Sequence, residues 1–359
     1  MLFVLSALGL TGLGAAGLLI YWSQPGKPRP FTDAKGRPLS GSIAEKVWVP
    51  INGVEQGMVL EGKDASKPVL LYLHGGMPEF FLTQRYPTGL EEEFVVCWWD
   101  QRGSGLSYRP GEAAPTLEQL IADTVAVTHY LRQRFGHDRI YLMGHSGGSF
   151  LGLQVVAREP QLFHAWLGVA QMTNQLASEQ EAWAFARDAA QGRGDEALAR
   201  ALELAPVTAT EVPTAWLQLR DRALHEAGGG TMRQMRSVVS GLFLESLRNR
   251  ELTLGEKVKL WRGKASAGVS SMWKDMLATD LSVSVPKLAV PAYFFHGVHD
   301  RTCSYAEAVK SFERLEAPLK GFYAFEQSAH SPVFEEPAKF IDLIRRDVLA
   351  GRNALADRH

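Results

Sequence analysis

Three residues met in chain order, Ser146, Asp300 and His330, have the types needed for nucleophilic acyl transfer. A serine hydroxyl is a poor nucleophile at neutral pH, so it needs a base to take its proton and an acid to hold that base. Ser146 lies in Gly144-His145-Ser146-Gly147-Gly148, the pattern of a serine raised on a tight turn between a strand and a helix. Small residues flank it because the turn is strained and the helix passes close to the strand. Behind such a serine the acid and then the base follow downstream. Asp300 comes just after the apolar run Ala292-Tyr-Phe-Phe295, and His330 just after Gly321-Phe-Tyr-Ala-Phe325. Both therefore fall at carboxyl ends of strands, where open α/β sheets place their sites.

The tetrahedral intermediate of acyl transfer carries a negative oxygen that needs fixed N–H donors. The backbone N–H of Gly147 is one candidate. The other comes from His74-Gly75-Gly76-Met77-Pro78, with Gly76 ahead of Gly75. His74 reads as a brace for that loop. His145, His296 and His299 read as packing or supporting residues, since the base is already assigned. Nothing in this chemistry calls for a metal or an organic cofactor, and no Cys/His cluster has metal-ligand spacing.

The elements that must position these residues follow from periodicity. Strand character marks Lys46–Ile51, Gly57–Glu61, Pro68–Leu73 and Phe94–Trp99, and Val-Leu-Leu-Tyr-Leu (69–73) is apolar throughout, as a strand covered on both faces should be. After Thr116 the spacing of Leu117, Leu120, Ile121 and Leu131 is helical. Arg139–Met143 is a strand, Gly147–Ala157 a helix and Ala165–Ala170 a strand, an alternation that implies a parallel sheet with right-handed crossovers. Residues 171–281 break it with Ala-, Leu-, Glu- and Arg-rich helical segments. Strands resume at Val290–His296 and Gly321–Glu326, before a helix at Pro337–Leu349.

Lys plus Arg number 38 against 39 Asp plus Glu, with no block of either sign, so a nucleic-acid surface is not indicated. The two cysteines, Cys97 and Cys303, make no disulfide framework. Leu2–Trp22 contains no charged residue and is long enough to cross a bilayer. No basic residue precedes it and no clear small-x-small site follows, which favours a retained anchor over a cleaved export signal. Lys27, Arg29, Lys35 and Arg37 then place the body on the cytoplasmic side as a single-pass membrane protein. Residues 23–44, with Pro25, Pro28, Pro30 and Pro38, read as a linker.

These residues resemble the α/β-hydrolase superfamily, and within it the proline-iminopeptidase-like branch. The signatures are His74-Gly75-Gly76, Asp100-Gln-Arg-Gly-Ser-Gly-Leu-Ser107, and Gly144-His-Ser-Gly-Gly-Ser149, with Asp300 and His330 behind them. The resemblance implies an α/β-hydrolase fold with a mostly parallel central sheet. Its core is 45–170 and 282–359, a helical cap is inserted at 171–281, and residues 1–22 form a transmembrane helix outside it. It also implies that Asp100–Ser107 shapes the site entrance and that acidic cap residues, here Glu179 and Glu181, receive a substrate's free amine. The chain departs from the branch at Met77, where a proline is usual, and at Gly147, where Trp is common. The expected activity is hydrolysis of an amide or ester in a small molecule or short peptide. Aminopeptidase leads, with carboxylesterase or lactonase as the alternative and a non-catalytic binding module as the reading from another class. An epoxide hydrolase or haloalkane dehalogenase, which needs an Asp nucleophile at the elbow, is disfavoured by Ser146. Oligomeric state is left open by the sequence.

Overall fold

A computed structural model describes Gly14 and residues 17–267 and 270–359. An eight-stranded sheet runs β1 (Ile43–Ile51), β2 (Val54–Gly62), β4 (Val95–Trp99), β3 (Val69–Leu73), β5 (Ile140–His145), β6 (Phe163–Val169), β7 (Ala292–Gly297), β8 (Lys320–Phe325) in space. β1 and β2 form an antiparallel hairpin, β2 is antiparallel to β4, and every other pairing is parallel. The mostly parallel sheet expected from the alternation is therefore present.

The unbroken apolar character of β3 has a direct cause. Its side chains point alternately to the two faces, and both faces are covered. Leu71 and Leu73 enter the core under the helices Leu117–Phe135 and Gly147–Arg158. Leu70 and Tyr72 enter the opposite core, closed by Phe340, Ile344 and Val348 of the C-terminal helical segment. Thr116 caps the first of these helices by accepting from the Gln119 N–H, and Gly136, at φ 70°, ends it.

Between β6 and β7 the named elements among the described residues are all helices, the longest being Gln175–Gly192, Thr214–Glu226 and Leu254–Ala267. The first two share their own apolar cluster around Trp216, Ala186 and Leu224. The segment expected to be a linker is tied down. The Gly26 N–H donates to the Arg250 carbonyl at 3.0 Å. Lys46 Nζ reaches the carbonyls of Gly26 and Glu251 and the Glu256 carboxylate, and β1 already begins at Ile43. Most of the expected membrane span lies outside the described residues. Gly17–Trp22 are helical, and among the described residues no helix is long and apolar enough to cross a membrane.

One buried network fixes the loop after β4. Arg102 forms a bidentate pair with Asp123 (2.7 and 3.0 Å), and the same carboxylate accepts from Asn52 and Gln56 at 2.8 Å. Asp123 is fully buried and Arg102 nearly so. Removing one partner of a buried pair strands the other charge without water. Asp123→Ala is expected to lower the unfolding free energy by about 3–5 kcal/mol, read by urea titration. Arg158→Ala, which breaks an exposed pair with Glu118, should cost under about 1 kcal/mol.

Candidate active site

β5 runs straight into Ser146, whose backbone sits at φ 56°, ψ −124°, a conformation that a non-glycine residue holds only where its surroundings impose it. The surroundings do so through the Ser146 N–H, which donates to the Val169 carbonyl, and through the Ser149 hydroxyl, which donates to the Ser146 carbonyl. The helix Gly147–Arg158 then leaves so close to β3 that a Cβ on Gly148 would stand 2.0 Å from the Leu73 carbonyl oxygen. Glycine at 148 is thus a requirement of contact.

Asp300 lies in the loop after β7, with no exposed surface. One carboxylate oxygen accepts the N–H groups of Thr302 (2.7 Å) and Cys303 (3.0 Å). The other accepts from His330 Nδ1 at 2.8 Å and lies 3.3 Å from His296 Nε2. Burial opposes the charge on Asp300, but His330 and His296 outweigh it and hold its carboxyl well below the usual carboxylate range. With Nδ1–H given to Asp300, His330 Nε2 carries the lone pair, the tautomer that a general base needs. His330 and Ser146 line one cavity, and among the described residues no hydrogen bond joins their side chains. Catalytic bonds of this kind are often long until the Michaelis complex tightens them.

His145 and Glu79 form a second acid–imidazole pair that local spacing does not reveal. His145 Nδ1 meets Glu79 Oε1 at 2.7 Å, Tyr72 OH donates to Glu79 Oε2 at 2.6 Å, and His145 Nε2 meets the His330 backbone carbonyl at 2.7 Å. Both ring nitrogens face acceptors, so both must donate, and His145 is an imidazolium. Burial alone would lower its pKa; the Glu79 carboxylate overcomes that and raises it. This cation stands 4.9 Å, ring to ring, from His330. Burial first, and the His145 charge with it, depress the His330 pKa from its ordinary 6.5, against the raising effect of Asp300. A base works only when unprotonated, so activity falls as pH drops through that value. The acid limb of kcat/KM is expected to have its midpoint below 6.5, leaving a flat profile from there to neutrality. A midpoint above about 7 would contradict the assignment.

His74 is neutral, its pKa lowered to about 4 by burial. Nδ1 donates to the Gly75 carbonyl and Nε2 accepts the Gln101 N–H, so it braces the glycine loop. Gly76 and Gly147 line the cavity. Gly75 lies against Ser146, where a Cβ would stand 2.7 Å from the serine Cβ. A Cβ at position 147 would meet the Met276 methyl at 2.8 Å, so a cap methionine takes the space that a side chain at 147 would occupy.

Glu179 and Glu181 stand away from this cavity. Glu179 is fully buried inside the cap, where it pairs with Arg220 and accepts from Trp216 Nε1 and Gln175. Glu181 accepts from the Ser304 hydroxyl. Neither lines the cavity; the carboxylates that do are Glu79 and Asp221. The helical spacing that puts Glu179 and Glu181 early in the cap cannot tell which face turns inward. Asp100–Ser107 likewise lies off the cavity wall. Asp100 accepts the Leu106 N–H at 2.6 Å, and Ser107 bridges the Asp100 carbonyl and the Gly57 N–H, so the motif locks its own loop.

The cavity, about 180 Å³, is walled by Met77, Phe81, Leu242, Trp261, Trp273 and Met276, with Arg220, Asp221 and Lys264 at its polar side. A strained serine elbow, a buried acid–histidine pair and a helical cap over one cavity define a hydrolase site on a parallel sheet. The family model for the alpha/beta hydrolase fold matches residues 68–337, and the chain belongs to that family. It is 30% identical over 319 residues to the probable aminopeptidase YbaC of Bacillus subtilis (strain 168), a match spanning 86% of this chain and 98% of the relative. Among solved structures it is similar to a proline iminopeptidase-related protein from Thermus thermophilus (20% identity, TM-score 0.51, 86% of this chain and 98% of the other). It is also similar to a bacterial membrane phospholipase A (18% identity, TM-score 0.57, 97% and 100%).

Proposed function

We propose that the chain is a serine hydrolase working through an acyl-enzyme. Ser146 Oγ attacks the carbonyl carbon, and His330 Nε2 takes the proton and returns it to the leaving group. Asp300 holds the imidazole and balances its transient charge, and Gly147 and Gly76 N–H groups receive the oxyanion. Water, activated by the same His330, then releases the acyl group. The observation that carries this reading is the buried 2.8 Å Asp300–His330 contact opening onto the cavity that holds Ser146.

Aminopeptidase is the leading activity, supported by the relationship to the probable aminopeptidase and by carboxylates on the cavity wall. In this reading Asp221, largely solvent-exposed, takes the substrate's amine in place of Glu179 and Glu181. The apolar walls favour carboxylesterase or lactonase as the second reading. Prolyl and alanyl arylamides assayed beside acyl esters and lactones distinguish them. Asp221→Asn should raise KM for the arylamides by up to about fivefold, as loss of one exposed charge contact worth under about 1 kcal/mol implies, and leave ester KM unchanged. Equal effects on both would remove Asp221 from amine binding. The uncharged run Leu2–Trp22 supports a membrane anchor with the body on the cytoplasmic side. Release of the intact chain by a carbonate wash would contradict it.

A further inference from the structure

The outer surface of the cap next to the N-terminal helix combines exposed apolar side chains with charge of a single sign. In residues 231–267 the exposed apolar residues include Val239 (63%), Phe243 (38%), Leu254 (43%) and Val258 (50%). The exposed charged residues of the same stretch are Arg236, Arg248, Lys259 and Arg262, while its acids, Glu245, Glu251 and Glu256, are half-buried or buried. For a chain whose total charges nearly cancel, this segregation is local.

Within this stretch the helical segments 239–248 and Leu254–Ala267 form one body. The Phe243 and Trp261 rings pack edge to face at 5.2 Å, and Trp261 Nε1 donates to Ser246 Oγ at 2.8 Å. The end of the uncharged run is fastened to the same place. Lys257 Nζ donates to the Trp22 carbonyl at 2.8 Å, and Arg250 lies 4.5 Å over the Tyr21 ring. Leu18, Ile20 and Tyr21 remain exposed beside it.

We infer that this cap face, carrying Val239, Phe243, Leu254 and Val258 within a rim of Arg236, Arg248, Lys259 and Arg262, seats on an anionic bilayer surface. Apolar side chains enter the acyl boundary while basic groups meet headgroup phosphates, as in interfacial amphipathic helices. The inference rests on reading Leu2–Trp22 as a membrane segment, which delivers the bilayer to this side of the molecule. Its consequence for the site is direct. Val238, Leu242, Trp261 and Lys264, from the same segments, form a cavity wall, so the seated cap holds that wall roughly one helix diameter, ~10 Å, from lipid.

The test uses the full chain with single substitutions Val239→Cys or Val258→Cys carrying an environment-sensitive dye. Leu204→Cys is the control, and the native Cys97 and Cys303 are buried. The chain is mixed with phosphatidylcholine vesicles with and without phosphatidylglycerol. Blue-shifted emission and quenching by spin-labelled lipid are expected at 239 and 258 but not at 204, increasing with the anionic fraction. Reversing Arg236, Arg248, Lys259 and Arg262 to Glu should abolish that increase. A chain that floats with vesicles while both dyes stay in water overturns the inference and leaves the anchor standing. A chain that does not bind vesicles overturns both. A blue shift without vesicles that grows with protein concentration overturns it in favour of self-association. Fluorophosphonate labelling of Ser146 reports separately on the hydrolase reading.

Discussion

A Ser146→Ala chain is expected to lose hydrolysis of its best substrate by about 10⁶-fold, the scale reached when the nucleophile of a serine triad is removed. It should also lose all labelling by a fluorophosphonate. The effect is so large because His330 then has no serine proton to take, and no acyl-enzyme forms. The glycine donors would still bind a polarised carbonyl, so a residue of turnover above the uncatalysed rate should survive. Folding should be little affected, because the contacts that impose φ 56° at this position, the Ser146 N–H to the Val169 carbonyl and the Ser149 hydroxyl to the Ser146 carbonyl, use only backbone atoms of residue 146. Thermal unfolding of the variant checks this. Labelling of the variant as strong as that of the parent would remove Ser146 from the chemistry.

Asp300→Asn is the second large effect, expected at roughly 10⁴-fold in kcat by the precedent of serine triads. Here the local hydrogen bonds give the reason. Asp300 Oδ1 already accepts two N–H groups, from Thr302 and Cys303, which only an oxygen can do. An asparagine must therefore keep its oxygen there and turn its NH₂ toward His330. His330 Nδ1 then has to accept, so its proton moves to Nε2, and the lone pair that should receive the Ser146 proton is gone. The Asn side chain fits the same space, so loss of stability would not explain the loss of rate. Two measurements separate the explanations: the melting temperature should move by only a few degrees, while kcat collapses and KM changes little. Unchanged turnover at pH 7 would exclude Asp300 as the acid.

The sequence is most legible where a single element carries the signal. The apolar run of β3, the strand before Ser146 and the helix after it can each be read to within a residue or two, because burial on two faces leaves a local pattern that needs no knowledge of neighbours. Asp300 and His330 are legible for a similar reason, as polar residues directly following apolar strands, and the parallel order of those strands brings them together at 2.8 Å. Legibility fails in the cap. Glu179 sits on a helix whose hydrophobic pattern is shallow, and only packing shows that its carboxylate turns to Arg220 and Trp216.

What the sequence by itself determined, then, was the alternation that builds a parallel sheet, the glycine spacing that permits the elbow, and the chain order of Ser146, Asp300 and His330. Those depend on periods of two and 3.6 residues and on steric needs at single positions. The tertiary structure alone decided the rest. Glu79 meets His145 across 66 residues of chain, and His145 meets the His330 carbonyl across 185. Arg102 finds Asp123 across 21, which turns the Asp100–Ser107 motif into a brace. Contacts of this kind arise where the sheet and its loops converge in space, and a charge buried there is tolerated only because its partner arrives from another element. No local spacing records that arrival, so the imidazolium beside the base and the carboxylates that truly face the cavity emerge only once the chain is folded.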